Sequence, residues 1–90
     1  MAQPPTLSIL MVCMGNICRS PTAHGVMRAR IAARGWQAWV QVDSCGTQAY
    51  HVGEPADTRA QQHALQRGYD LSDLRARQVT AADFRRHDMV

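Results

Sequence analysis

Residues Leu7–Cys13 are almost wholly apolar and end in a cysteine, and an arginine, Arg19, follows six positions later. Ile9 and Val12 are β-branched, and the run shows no apolar–polar alternation. It therefore predicts a strand buried on both faces, as in a parallel sheet. Met14–Ser20 predicts a loop in which Gly15 and Asn16 can take positive φ. Ser20 suits an N-cap and Pro21 a first helical position. Ala23, Val26, Met27, Arg30 and Ile31 recur at helical spacing, and Gly35 is placed to stop that helix. Trp39, Val40 and Val42 predict a second strand ending in the polar turn Asp43-Ser44-Cys45-Gly46-Thr47. Strand, helix and strand in this order form a right-handed crossover between parallel strands. The fold class is α/β, with a loop placed between the end of the first strand and the mouth of a helix.

The remainder is sparser. Gln3-Pro4-Pro5 is an extended lead-in, and Gln48–Ala56 is loop. Asp57 caps a helix that runs to about Arg67 and stops at Gly68. Tyr69–Gln78 reads as irregular, Thr80–Asp83 as a capping box over a short helix, and Asp88-Met89-Val90 as the start of a third strand. Ninety residues suffice for one domain, residues 1–90. No apolar run is long enough to cross a membrane. Met1–Thr6 carry no Lys or Arg, which argues against a secretory signal. The net charge of +3 comes from arginines scattered between Arg19 and Arg86, a distribution that disfavours nucleic-acid binding. Three cysteines without a signal segment predict free thiols in a reducing, cytoplasmic setting. The Cys13–Cys18 spacing fits no zinc site, so no metal and no other cofactor is expected.

The strand–loop–helix run has a chemical reading. Backbone N–H groups from Met14, Gly15, Asn16, Ile17, Cys18, Arg19 and Ser20 would converge on an oxyanion at the helix mouth. Arg19 can hold two equatorial oxygens of a phosphoryl group. The same field lowers the pKa of Cys13 and makes it a nucleophile. Ser20 can donate to its sulfur and improve it as a leaving group. Two in-line displacements through a cysteinyl-phosphate follow, with no metal required.

Val12–Pro21 resembles the active-site loop of the low-molecular-weight protein tyrosine phosphatases. The resemblance continues through Pro21-Thr22-Ala23, Asp43–Thr47, His51-Val52-Gly53, Pro55-Ala56-Asp57, Arg59-Ala60, Ala76–Thr80 and Asp83-Phe84. It implies a three-layer parallel sheet flanked by helices, with a phosphate-binding loop after the first strand. It also implies Cys13 as nucleophile, Arg19 as transition-state ligand, and Asn16, Ser20 and Ser44 as supports of the loop. Cys18 matches a second family cysteine that can form a reversible disulfide with Cys13; a small buried hydrophobe is an equally weighted reading. Tyr50 matches an aromatic that walls the entrance, or is simply an exposed loop tyrosine. His24, His51, His63 and His87 suggest solvated or internally satisfied rings. The implied partners are phosphotyrosine proteins, small aryl phosphates and inorganic phosphate.

Three departures from the family pattern stand out. Cys45 replaces a small residue. Leu74 replaces a histidine that braces the active-site asparagine, which predicts weaker support for Asn16. The Asp-Pro loop that carries the family's general acid has no counterpart between Asp70 and Asp88. The fold is accordingly expected to be incomplete relative to the family, and turnover weak or absent. An arsenate reductase of related fold or a non-catalytic oxyanion-binding fragment are the alternatives. Arsenate reduction would need further redox cysteines that these residues do not supply.

Overall fold

A computed structural model describes residues 7–90; the lead-in expected at Gln3–Pro5 lies outside the described residues. Strand β1 (Leu7–Cys13) and strand β2 (Val40–Gly46) pair in parallel with Leu7 opposite Val40 and Cys13 opposite Gly46. Helix α1 (Arg19–Ala33) makes the crossover and packs on both strands. The other edge of β1 carries a parallel bridge from Ile9 to Met89, with Leu10 N–H donating to the Met89 carbonyl at 2.8 Å. Of the third strand expected at Asp88-Met89-Val90, only this isolated bridge is formed. The architecture is α/β, a parallel sheet with helices.

Two local expectations change. The α1 N-cap is Cys18, so Pro21 sits third in the helix. Proline is tolerated there because the first N–H groups of a helix have no intrahelical acceptor. Ser20 does not cap because its hydroxyl is directed to the loop, and Thr22 instead closes the first turn by donating to the Cys18 carbonyl at 2.6 Å. Secondly, Leu10 is the one fully buried residue of β1, while Val12 is 37% exposed. The sheet is two strands wide apart from single parallel bridges, Met89 to Ile9 on β1 and Gln78 to Gly46 on β2, so the strand is only half covered.

Other punctuation follows the sequence. Gly35 and Gly68 both take positive φ, at 69° and 88°, where helices end. Helix α2 (Thr58–Gln66) is capped by Asp57, whose carboxylate accepts from Ala60 N–H. Helix α3 (Ala81–Arg86) carries the capping box of Thr80 and Asp83. The irregular segment after α2 provides Leu71 and Leu74, which pack with Ala56, Ala64 and the partly buried Tyr69.

The face that α1 buries is formed by Ser20, Pro21, His24, Gly25 and Ile31, whereas Val26 and Met27 are only half-buried. Gly25 is what lets the Leu71 segment dock, because a methyl at position 25 would fall on Leu71 Cδ2. Gly25→Ala should therefore destabilise the chain by about 1–3 kcal/mol through overpacking. Alanine's better helix propensity, worth up to about 1 kcal/mol, offsets part of this loss. Urea denaturation checks it, and unchanged or increased stability would disprove the contact's importance.

Candidate active site

The loop from Cys13 to Ser20 lies on the end of β2. Thr47 N–H donates to the Cys13 carbonyl and Gln48 N–H to the Met14 carbonyl, both at 2.9 Å. Gly46 has to be glycine for this approach. A Cβ there would stand 2.7 Å from the Met14 oxygen and 3.0 Å from the Asn16 nitrogen. The far end of the loop is tied by Asp57 N–H to the Ile17 carbonyl at 2.7 Å.

Asn16 turns the loop with φ 58°, a conformation that asparagine tolerates better than most residues. Its side chain is buried inside the turn. Oδ1 accepts from the backbone N–H of Arg77 at 3.0 Å, and Nδ2 donates to Ser20 Oγ at 2.7 Å. Ser20 Oγ in turn lies 3.0 Å from Cys13 Sγ. Asn16 N–H also donates to that sulfur, at 3.3 Å. Burial pushes the Cys13 thiol up, but hydrogen bonds from Ser20, Asn16 and Gly15 outweigh it and hold the pKa below its ordinary value. The thiolate is thus favoured chiefly by neutral donors.

Arg77 is fixed by two carboxylates. Its guanidinium makes bonds of 2.9 and 2.8 Å to Asp83 and one of 2.8 Å to Asp43. Asp83 is fully buried, and the Arg77 fork holds its carboxyl far below the usual range despite that burial. The resemblance covers Ala76–Thr80 but assigns Arg77 no role, because its contribution is a backbone amide 61 positions from Asn16. Leu74 joins the apolar cluster, and the support for Asn16 that its presence placed in doubt comes from Arg77 and Ser20.

Cys13, Met14, Gly15, Ile17, Cys18 and Arg19 line one cavity of about 470 Å³, with Val12 at its edge. Arg19 opens α1 and is exposed. Cys18 is also exposed, and partial burial of its sulfur with the nearby Asp57 and Cys13 charges pushes its thiol up. Cys45 is buried, with its thiol pushed up in the same way. The Ser44 hydroxyl is directed at His24 Nδ1, 2.9 Å away, rather than at a loop atom. Tyr50 is 76% exposed. His51 bonds Glu54, His87 Nδ1 lies 2.9 Å from Ser8 Oγ, and His63 is exposed. A larger cavity, about 700 Å³, lies between α1, β2 and the end of α3, and none of the loop residues lines it. No cluster of metal-binding side chains occurs among the described residues, and no described helix is long and apolar enough to cross a membrane.

A cysteine that ends a parallel strand thus faces a backbone amide and a serine hydroxyl at the mouth of a helix. The sequence pattern of the low molecular weight phosphotyrosine protein phosphatases matches residues 8–90. The chain is 45% identical over 85 residues to the low molecular weight protein-tyrosine-phosphatase of Streptomyces coelicolor, covering 94% of the chain and 51% of that protein. It is 40% identical over 90 residues to the human low molecular weight phosphotyrosine protein phosphatase, covering 100% and 56%. Its structure matches the crystal structure of YfkJ from Bacillus subtilis with a TM-score of 0.89 at 34% identity, covering 93% of the chain and 54% of that one. The chain belongs to the low molecular weight phosphotyrosine protein phosphatase family, and it spans about half the length of the curated relatives it matches.

Two outcomes test this geometry. Ser20→Ala removes a donor to the sulfur, so the Cys13 pKa should rise and alkylation near neutral pH should slow by about threefold to tenfold. Site-resolved iodoacetamide labelling measures it, and an unshifted titration would exclude Ser20 as a thiolate donor. Burial also pushes His24 below its ordinary value of 6.5. The unfolded chain then binds more protons than the native one below that pH, and stability should fall as pH drops through and below 6.5. His24→Asn should flatten this dependence in urea titrations between about pH 7.5 and 5.

Proposed function

We propose that residues 1–90 form the nucleophile and phosphate-binding part of a protein tyrosine phosphatase acting on phosphotyrosine or other aryl phosphate monoesters. The observation that carries this reading is the Cys13 sulfur within reach of Ser20 Oγ and Asn16 N–H at the mouth of α1. In the first step the Cys13 thiolate attacks phosphorus, the S–P bond forms, and the P–O bond to the aryl group breaks. In the second step water attacks the cysteinyl-phosphate, inorganic phosphate leaves, and the thiolate returns, accepting a hydrogen bond from Ser20. Loop amides from Met14 to Ser20 and the Arg19 guanidinium take the equatorial oxygens as charge develops. In this reading the exposed Tyr50 acts as an aromatic wall for the substrate ring, and Ser44 supports the loop indirectly through its contact with His24 of α1.

The exposed Cys18 fits the second role the resemblance implies. Peroxide would oxidise Cys13 to the sulfenic acid, and the Cys18 thiol would then displace water to give a disulfide that thiols reverse. A reducing cytoplasm suits three free thiols.

All seven acidic side chains have partners of their own. Asp43 and Asp83 bind Arg77, and Asp73 binds Arg28. Glu54 binds His51, while Asp57, Asp70 and Asp88 accept from the amides of Ala60, Ser72 and Ser8. None of them lines the cavity beside Cys13, and lack of a general acid there lowers rates by about a hundredfold to ten-thousandfold. The 90 residues are therefore proposed to bind oxyanions and turn over slowly.

Calorimetric titration with phosphate and vanadate, beside p-nitrophenyl phosphate hydrolysis by the chain and its Cys13→Ser variant, tests this. Oxyanion binding with slow, Cys13-dependent turnover is expected. A folded chain that binds neither anion would sink the phosphatase reading, and fast turnover would refute the argument from the engaged carboxylates.

A further inference from the structure

His51 touches the phosphate loop from outside the cavity. A methyl on Gly15 would come within 3.0 Å of His51 Cδ2 and 3.8 Å of Nε2, so the imidazole edge packs directly on the Gly15 backbone. Its other nitrogen, Nδ1, lies 2.6 Å from Glu54 Oε2. The turn carrying both is rigid for identifiable reasons. Glu54 N–H donates to the His51 carbonyl at 2.8 Å, Gly53 N–H to the Ala76 carbonyl at 2.8 Å, and Ala76 N–H to the Glu54 carbonyl at 2.9 Å. The segment is also stitched to the loop on both sides of this contact. Gln48 bonds Met14, and Asp57 bonds Ile17. His51 is thus the side chain of a strap that crosses the loop between two backbone ties.

We propose that His51, oriented by Glu54, is a positioning residue for the nucleophile. Its ring holds the Gly15 peptide so that the Gly15 and Asn16 amides stay directed at the Cys13 sulfur. The physical need is specific to this loop. Gly15 has no side chain to restrict its φ and ψ, so a free Gly15 peptide would sample orientations in which its N–H leaves the sulfur. A ring pinned by a carboxylate restricts that freedom from outside, without filling the anion site. The proposal rests on Cys13 being the nucleophile of the site described above.

The test uses the whole chain and measures the titration of Cys13 by alkylation with iodoacetamide across pH, resolved by peptide mass so that Cys18 and Cys45 are read separately. His51→Ala should raise the Cys13 pKa and slow alkylation near neutral pH by about threefold to tenfold, with the same plateau at high pH. Glu54→Ala should act in the same direction. Glu54→Gln, which keeps an oxygen acceptor for Nδ1–H, should restore much of the wild-type titration. A Cys13 titration unmoved by His51→Ala would overturn the proposal, as would a loss of thermal stability alone. If His51→Ala does not fold, the pair of exposed Glu54 variants decides the question. Phosphate binding by the wild type is measured separately, so failure of the phosphatase reading is distinguishable from failure of the brace.

Discussion

The site depends on one line of hydrogen bonds, from the Arg77 amide to Asn16, from Asn16 to Ser20, and from Ser20 to the Cys13 sulfur. Each link sets the direction of the next. Because Oδ1 of Asn16 is used by Arg77 N–H, its amide nitrogen must face Ser20. Because Ser20 Oγ receives that donor, its own proton is left to point at the sulfur, 3.0 Å away, or at the Cys45 carbonyl, 3.4 Å away. Such chains are stronger in a low-dielectric interior than in water, and a break leaves buried groups unpaired. The line begins in an ion cluster of Arg77 with Asp43 and Asp83, so the electrostatics of α3 and β2 hold the surroundings of Cys13 in place.

The loop needs close backbone approach as much as it needs hydrogen bonds. Gly46 lets β2 end directly beneath Met14 and Asn16, and Gly25 lets the Leu71 segment seat on α1. Gly46 admits the Cys13–Ser20 loop, and Gly25 admits the small apolar cluster of Ala56, Ala64, Leu71 and Leu74. A domain of this length buries a modest share of its surface, which fits a sheet that is only half covered.

Much of the local structure was legible because its causes are local. Periodicity placed β1, α1 and β2, and glycines with positive φ ended α1 and α2. Asp57 and Thr80 opened helices through their own side chains. Ser20 was misread as a cap because a serine before a proline carries the same local signal whether its hydroxyl turns to the helix or to a distant sulfur. The burial of β1 was overestimated because an apolar run reports a tendency to be covered, not the presence of a cover. The apolar face expected on α1 likewise gave way to a buried stripe of Ser20, Pro21, His24, Gly25 and Ile31.

Cys13, Arg19 and the loop between them could be read directly, since strand end, turn and helix start lie within a few residues and obey short-range sterics. The partners that direct the loop could not. Arg77 acts through a main-chain amide, which every non-proline residue possesses, so no side-chain pattern reports it. His24 meets Ser44, and His51 meets Gly15, only after the crossover and the 48–57 segment have folded back. Residue order dictates which groups can do chemistry here. The distances among them, which govern the Cys13 pKa and the engagement of every carboxylate, arise from contacts between segments far apart in the chain.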